Sequence, residues 1–114
     1  MAILVVAEAE GATAEQDAVV VKALDWEGSP PAGARMRMAG PTDGGWRIVS
    51  LWDSEADFER FRDERLVPLR TDTGRSMRPP EIWPIETILT YHVVGFSGMR
   101  HGVLDPVHAP LLWP

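Results

Sequence analysis

The most restrictive feature of this chain is the stretch Trp46-Arg47-Ile48-Val49-Ser50-Leu51-Trp52 and what precedes it. Its side chains alternate in character with a period of two, the signature of a strand. Immediately before it lies a turn-forming run, Gly40-Pro41-Thr42-Asp43-Gly44-Gly45. Before that, Ala34–Ala39 alternates Arg35 and Arg37 against Met36 and Met38. Two strands joined by so short a connection pair as an antiparallel hairpin. An isolated hairpin is marginal in water, so the rest of the chain has to widen the sheet and cover it.

Both flanks supply what is needed. Ile3–Ala7 is a continuous apolar run of the kind found in buried central strands. Gly11 ends it, and Thr13 with Gln16 forms a capping box that opens a helix running to about Leu24, with Val20, Val21 and Leu24 on one face. Gly28–Gly33 is a loop rich in glycine and proline. After the hairpin, Ser54 with Asp57 caps a second helix, on which Phe58, Phe61, Leu66 and Leu69 share one face. Glu55, Glu59, Arg62 and Asp63 take its solvated side. A polar loop over residues 70–80 leads to a last strand, about Glu81–Leu89. Pro84 inside that strand removes a ladder donor and assigns it to a sheet edge. The order β-α-β-β-α-β is the ferredoxin-like plan: an α+β fold with an antiparallel four-stranded sheet and two helices on one face.

A length of 114 residues suits one domain. The net charge of −6, without a basic stripe, argues against nucleic acid as a partner. The absence of cysteine excludes disulfides, thiol catalysis and cysteine-based zinc sites. The apolar run at Ile3–Ala7 is too short for a signal peptide or a membrane span, so a soluble, cytoplasmic protein with no membrane partner is expected. No phosphate loop, GxGxxG or GxSxG motif occurs, and no cofactor is expected.

The stretch Ala39–Arg47 leading into Trp52, then Ser54-Glu55-Ala56-Asp57-Phe58-Glu59-Arg60-Phe61 and Glu64-Arg65-Leu66, resembles small members of the dimeric α+β barrel superfamily. That superfamily includes the antibiotic biosynthesis monooxygenases, and the resemblance spans residues 2 to about 88. It implies a ferredoxin-like domain over residues 1–88 that works as a homodimer, its bare sheet face meeting a second subunit. Residues 89–114 would form an extension packing on the core or on the partner. Similar proteins often carry histidine where Arg37 and Glu86 stand here.

Candidate site residues follow from strand parity. If Val49 and Leu51 face the helices, then Trp46, Ile48, Ser50 and Trp52 point the other way, into the barrel. Two tryptophans flanking a serine suit the wall of a small-molecule pocket, and equally the core of a dimer interface. Arg35 and Tyr91 are further candidates for binding a substrate. By the same parity Arg37 and Glu86 face inward, and the resemblance brings them together across the dimer. A guanidinium beside Glu86 would hold it ionised as a general base, with Arg37 stabilising the enolate formed. A purely structural ion pair is the competing reading. His92, with His101 and His108, lies in the extension. Spacings of nine and seven fit no compact metal site, but His92 is a candidate acid or base at the cavity rim.

Three functions remain open from sequence. One is a cofactor-independent tailoring enzyme acting on a small aromatic or polyketide-like molecule by proton abstraction, leading to cyclisation, isomerisation or oxygenation through a carbanion. Another is a non-catalytic homodimer that binds a hydrophobic metabolite. The last is a structural dimer whose barrel is filled by its own tryptophans.

Overall fold

The computed structural model describes residues 1–69, 78–90, 99–100 and 103–104. In chain order the elements are β1 (Ala2–Glu10), α1 (Ala14–Ala23), β2 (Ala34–Thr42), β3 (Gly45–Trp52), α2 (Glu55–Phe61), β4 (Glu81–Ile85), and two short strands, β5 (Met99–Arg100) and β6 (Val103–Leu104). The main sheet is four-stranded and antiparallel, in the order β2-β3-β1-β4. With its two helices this is a small α+β fold compatible with the ferredoxin-like plan. β5 and β6 pair with each other as a separate ribbon. Among the described residues, no helix is long and apolar enough to cross a membrane.

Local chemistry explains where each element starts and stops. At the head of α1 the Thr13 hydroxyl accepts from the Gln16 amide at 3.3 Å while the Gln16 side chain accepts from the Thr13 amide at 3.0 Å. This satisfies two amide groups that the helix itself leaves without partners. Beyond the last turn, Asp25 takes a positive φ of 51°, and its carboxylate accepts from the Gly28 amide at 3.2 Å. Ser54 caps α2 by accepting from the Asp57 amide. The hairpin is tighter than its composition suggests. β2 runs on through Gly40 and Pro41 to Thr42, which pairs with Gly45 and leaves a two-residue Asp43-Gly44 turn.

Pro41 and Pro84 both sit in outer strands, β2 and β4, where a missing amide donor leaves the inner ladders intact. β4 is therefore an edge strand, as its proline predicts. It ends at Ile85, four residues short of the expected Leu89, and Glu86 lies just beyond it.

The second helical stretch contains a change of winding. After α2, residues Arg62–Leu66 form a π-helical turn, with the Val67 amide donating to the Arg62 carbonyl. Phe61 and Leu66 are five residues apart, a step that would carry them to different faces of a regular α-helix. The wider π turn absorbs the extra residue and returns Leu66 and Leu69 to the face of Phe58 and Phe61. That is why all four meet the core.

The core consists of Ile3, Val5, Leu24, Trp52, Phe58 and Phe61, with Trp26, Val20, Ala34, Leu66 and Leu69 packed against it. Trp52 is fully buried and meets Trp26 and Phe58 edge-on at 5.9 and 5.6 Å between ring centroids, and Phe61 at 5.2 Å. These rings fix which side of the sheet the helices cover, and it is the opposite of the side read from Val49 and Leu51. Trp52 and Ser50 lie beneath the helices, and Leu51 and Val49 face away. The aliphatic alternation was ambiguous because both sides of β1 are apolar; the space between helices and sheet goes to the larger rings.

Candidate functional site

Between sheet and helices lies a cavity of about 590 Å³. Its floor is set by β1 and β3, whose register pairs Val5 with Ser50, Ala7 with Ile48 and Ala9 with Trp46. Side chains opposite each other in an antiparallel pair share a face, so these six form one surface. Ala7 and Ala9 put little side-chain volume on that floor, which leaves room above it. Gln16, Asp17, Val20 and Leu24 close the cavity from α1, and Phe58, Phe61, Leu66 and Leu69 close it from the second helical stretch. Trp26 and Arg37 complete the wall on the side of β2, and Arg78 and Pro80 line it ahead of β4.

One ion pair is set in that wall. The Arg37 guanidinium donates from Nη1 to Asp17 Oδ2 at 3.1 Å and from Nη2 to Asp17 Oδ1 at 2.6 Å. Only 14% and 12% of the two side chains remain exposed. The guanidinium also lies 5.8 Å from the centre of the Trp26 ring, a cation–π distance. A two-pronged pair in this setting is geometrically well defined, because the planar fork of arginine matches the carboxylate. Each Asp17 oxygen keeps a second lone pair for another proton.

Two further polar groups belong to the lining residues Ser50 and Trp46. The Ser50 hydroxyl accepts from the Trp52 indole N–H at 2.8 Å, which leaves its own proton to donate. The Trp46 indole nitrogen is buried and has no hydrogen-bond partner among the described residues.

At the far end of α1, Arg65 from the π-helical turn donates to the Leu24 and Ser29 carbonyls and lies 5.8 Å from the centre of the Phe61 ring. This fastens the end of the first helix to the second.

The expected site residues separate clearly. Trp46, Ile48, Ser50 and Arg37 line one cavity, but it lies under the helices and not on the bare sheet face. Trp52 belongs to the core and touches the cavity only through its bond to Ser50. Arg35 is not in the site. A register shift between Ala34 and Met36 makes it a bulge residue, and its guanidinium turns to Asp53 at 2.6 Å, with about two-thirds of the side chain exposed. The hydrogen bond to Asp53, and the charge of that carboxylate, hold Arg35 above its ordinary pKa.

Within one chain Arg37 and Glu86 are not brought together, and Arg37 does not lie on the bare face. Arg37 stands in register with Ser50 on the helix side and is committed to Asp17, while Glu86 is exposed past the end of β4. Tyr91 and His92 lie outside the described residues. Sequence reasoning missed Asp17 and Trp26. The only signal for Asp17 was a carboxylate in the first turn of a helix that returns over β1, and at a helix start that reads as a charge favourable to the helix dipole.

No protein-family model matches the chain, and no curated protein is significantly similar to it. Among the described residues, no group of three or more histidine, cysteine, aspartate or glutamate side chains is arranged to hold a metal ion.

Proposed function

We propose that this chain is a cytoplasmic homodimer that binds a small aromatic or polyketide-like molecule in the cavity of each subunit and removes a proton from it without a cofactor. The observation that carries the reading is the Arg37–Asp17 pair set in the wall of a largely apolar chamber. The two N–H groups of the guanidinium hold the carboxylate in one orientation in that wall. A carboxylate so placed can accept a proton from an acidic carbon or a phenol, and the adjacent N–H donors stabilise the negative oxygen that forms. Asp17 thus takes the part that the sequence alone assigned to Glu86.

The homodimer is supported by the bare side of the sheet. Leu4, Val49, Leu51, Met36, Met38 and Trp83 lie on it, with Met38 53% and Trp83 56% exposed. A contiguous apolar surface of this kind marks an interaction site. The likeness of the fold to dimeric α+β barrels favours a second copy as its occupant.

The test uses 2-tetralone, a ketone with acidic hydrogens next to its carbonyl, in deuterated buffer. The wild-type protein is expected to speed exchange of those hydrogens, and Asp17→Asn to abolish the acceleration while tetralone still binds. Binding without exchange in the wild type favours a second reading, a carrier that holds its ligand unchanged. One observation points that way: both Asp17 oxygens already accept a hydrogen bond from Arg37.

A further inference from the structure

The charges around the cavity cancel within the protein itself. Among the described residues, the ionisable side chains that line it are Glu10, Asp17, Arg37 and Arg78. Glu10 and Arg78, one of each sign, are exposed and stand where the cavity meets solvent. Asp17 and Arg37 are nearly buried, and they are committed to each other through hydrogen bonds of 3.1 and 2.6 Å. The guanidinium also lies against the Trp26 ring. The rest of the enclosure, from Ala7 and Ile48 to Phe58, Phe61 and Leu66, carries no charge.

What such a lining admits follows from electrostatics. An ion that enters loses its hydration, and that loss is offset only where an opposite charge is free to pair with it. The inner wall has none free. A carboxylate would have to draw Arg37 away from Asp17, and an ammonium would have to draw Asp17 away from Arg37. Either exchange strands one protein charge in a nearly buried wall. An uncharged molecule covers the apolar lining and leaves the pair intact.

We infer that the Arg37–Asp17 pair is a charge filter: the cavity takes substrates that arrive neutral, such as ring ketones, and turns away carboxylates and ammonium ions of the same shape. The inference rests on the cavity being the ligand site and adds the charge state in which the ligand enters. Proton removal inside the cavity obeys the same balance. When a C–H bond next to a ketone breaks and its proton forms an O–H bond on Asp17, the electron pair stays on the ligand as an enolate. The summed charge of ligand and pair is then unchanged, and Arg37, released from its carboxylate, is the counter-ion of the enolate. The wall tolerates an anion made in place and rejects one that comes from outside.

The experiment compares three probes by calorimetry at neutral pH. They are 2-acetylnaphthalene, 2-naphthoate, in which an anionic oxygen replaces the methyl group, and 2-naphthylmethylammonium. Wild-type protein is expected to bind the ketone at least about thirtyfold more tightly than either ion. Ala7→Leu, which fills the cavity, is expected to remove ketone binding. Asp17→Asn leaves Arg37 without a counter-charge, and there naphthoate is expected to gain about tenfold while the ketone changes less than about threefold. A wild-type preference below about threefold against either ion, a measurement that needs no variant, overturns the inference and leaves the cavity reading standing. So does an Asp17→Asn protein with a native near-ultraviolet spectrum in which naphthoate gains nothing. If no probe binds the wild type, or if ketone binding survives Ala7→Leu, the cavity reading fails and this inference with it.

Discussion

The two sides of the sheet are built from similar residue types but reach different ends. Beneath the helices, side-chain size changes along the strands: Ala7 and Ala9 stand opposite Ile48 and Trp46 at one end, and Trp52 is wedged among phenylalanines at the other. The result is a packed core at one end and a chamber at the other. On the bare side Leu4 stands opposite Leu51 and Trp83, Val6 opposite Val49, with methionines on β2. They make an apolar surface that the two helices leave uncovered. Charge follows the same division. The enclosed side holds the Arg37–Asp17 pair at the chamber wall, whereas Arg47 and Glu8 pair at the open rim with about half of each side chain exposed.

The largest test of this division is Trp52→Ala. Removing a fully buried indole from the aromatic cluster is expected to cost about 3–5 kcal/mol in urea unfolding, a large share of a small domain's stability. A loss under about 1 kcal/mol would mean that the helices do not pack on that side. Next comes Asp17→Asn, which strands a nearly buried guanidinium and is expected to cost about 3 kcal/mol. Adding Arg37→Met should restore most of that loss, and a double variant as weak as the single one would refute the pairing. On the other side, Met38→Glu is expected to halve the mass seen by analytical ultracentrifugation while the near-ultraviolet signal of the Trp52 cluster persists. A monomeric wild type removes the dimer from the picture.

Smaller effects sharpen the contrast. Ala7→Leu fills the chamber and is expected to change stability by less than about 1 kcal/mol while eliminating 2-tetralone binding. The same enlargement at Val6, on the bare side, should leave that binding intact. Smallest of all, Glu8→Gln should cost at most about 0.5 kcal/mol, and less in high salt, because the pair it breaks is half exposed.

Much of the architecture was legible in the residues themselves. Element order, both N-caps, the hairpin and the edge position of β4 follow from local rules that act within a few residues: capping oxygens, turn glycines, a proline in a strand. The site was legible only in part. Trp46, Ile48, Ser50 and Arg37 were correctly grouped on one face, since period-two alternation is local as well. Which way that face points was not, because it depends on how Trp26, Trp52, Phe58 and Phe61 pack together across distant segments. Arg35 was misplaced by a bulge that no residue near it announces. Asp17 was invisible because its partner lies 20 residues away on another element.

The two prolines at the flanks of the sheet bear on how copies of this protein add to one another. Each outer margin, at Pro41 and at Pro84, lacks an amide that an incoming strand would need as a donor. Sideways recruitment of further chains is thereby discouraged at both margins, and with it the open-ended growth that leads to fibres. In the homodimer proposed above, association through the apolar side stops once that side is covered. Concentrated solutions should therefore saturate at a small closed assembly instead of polymerising.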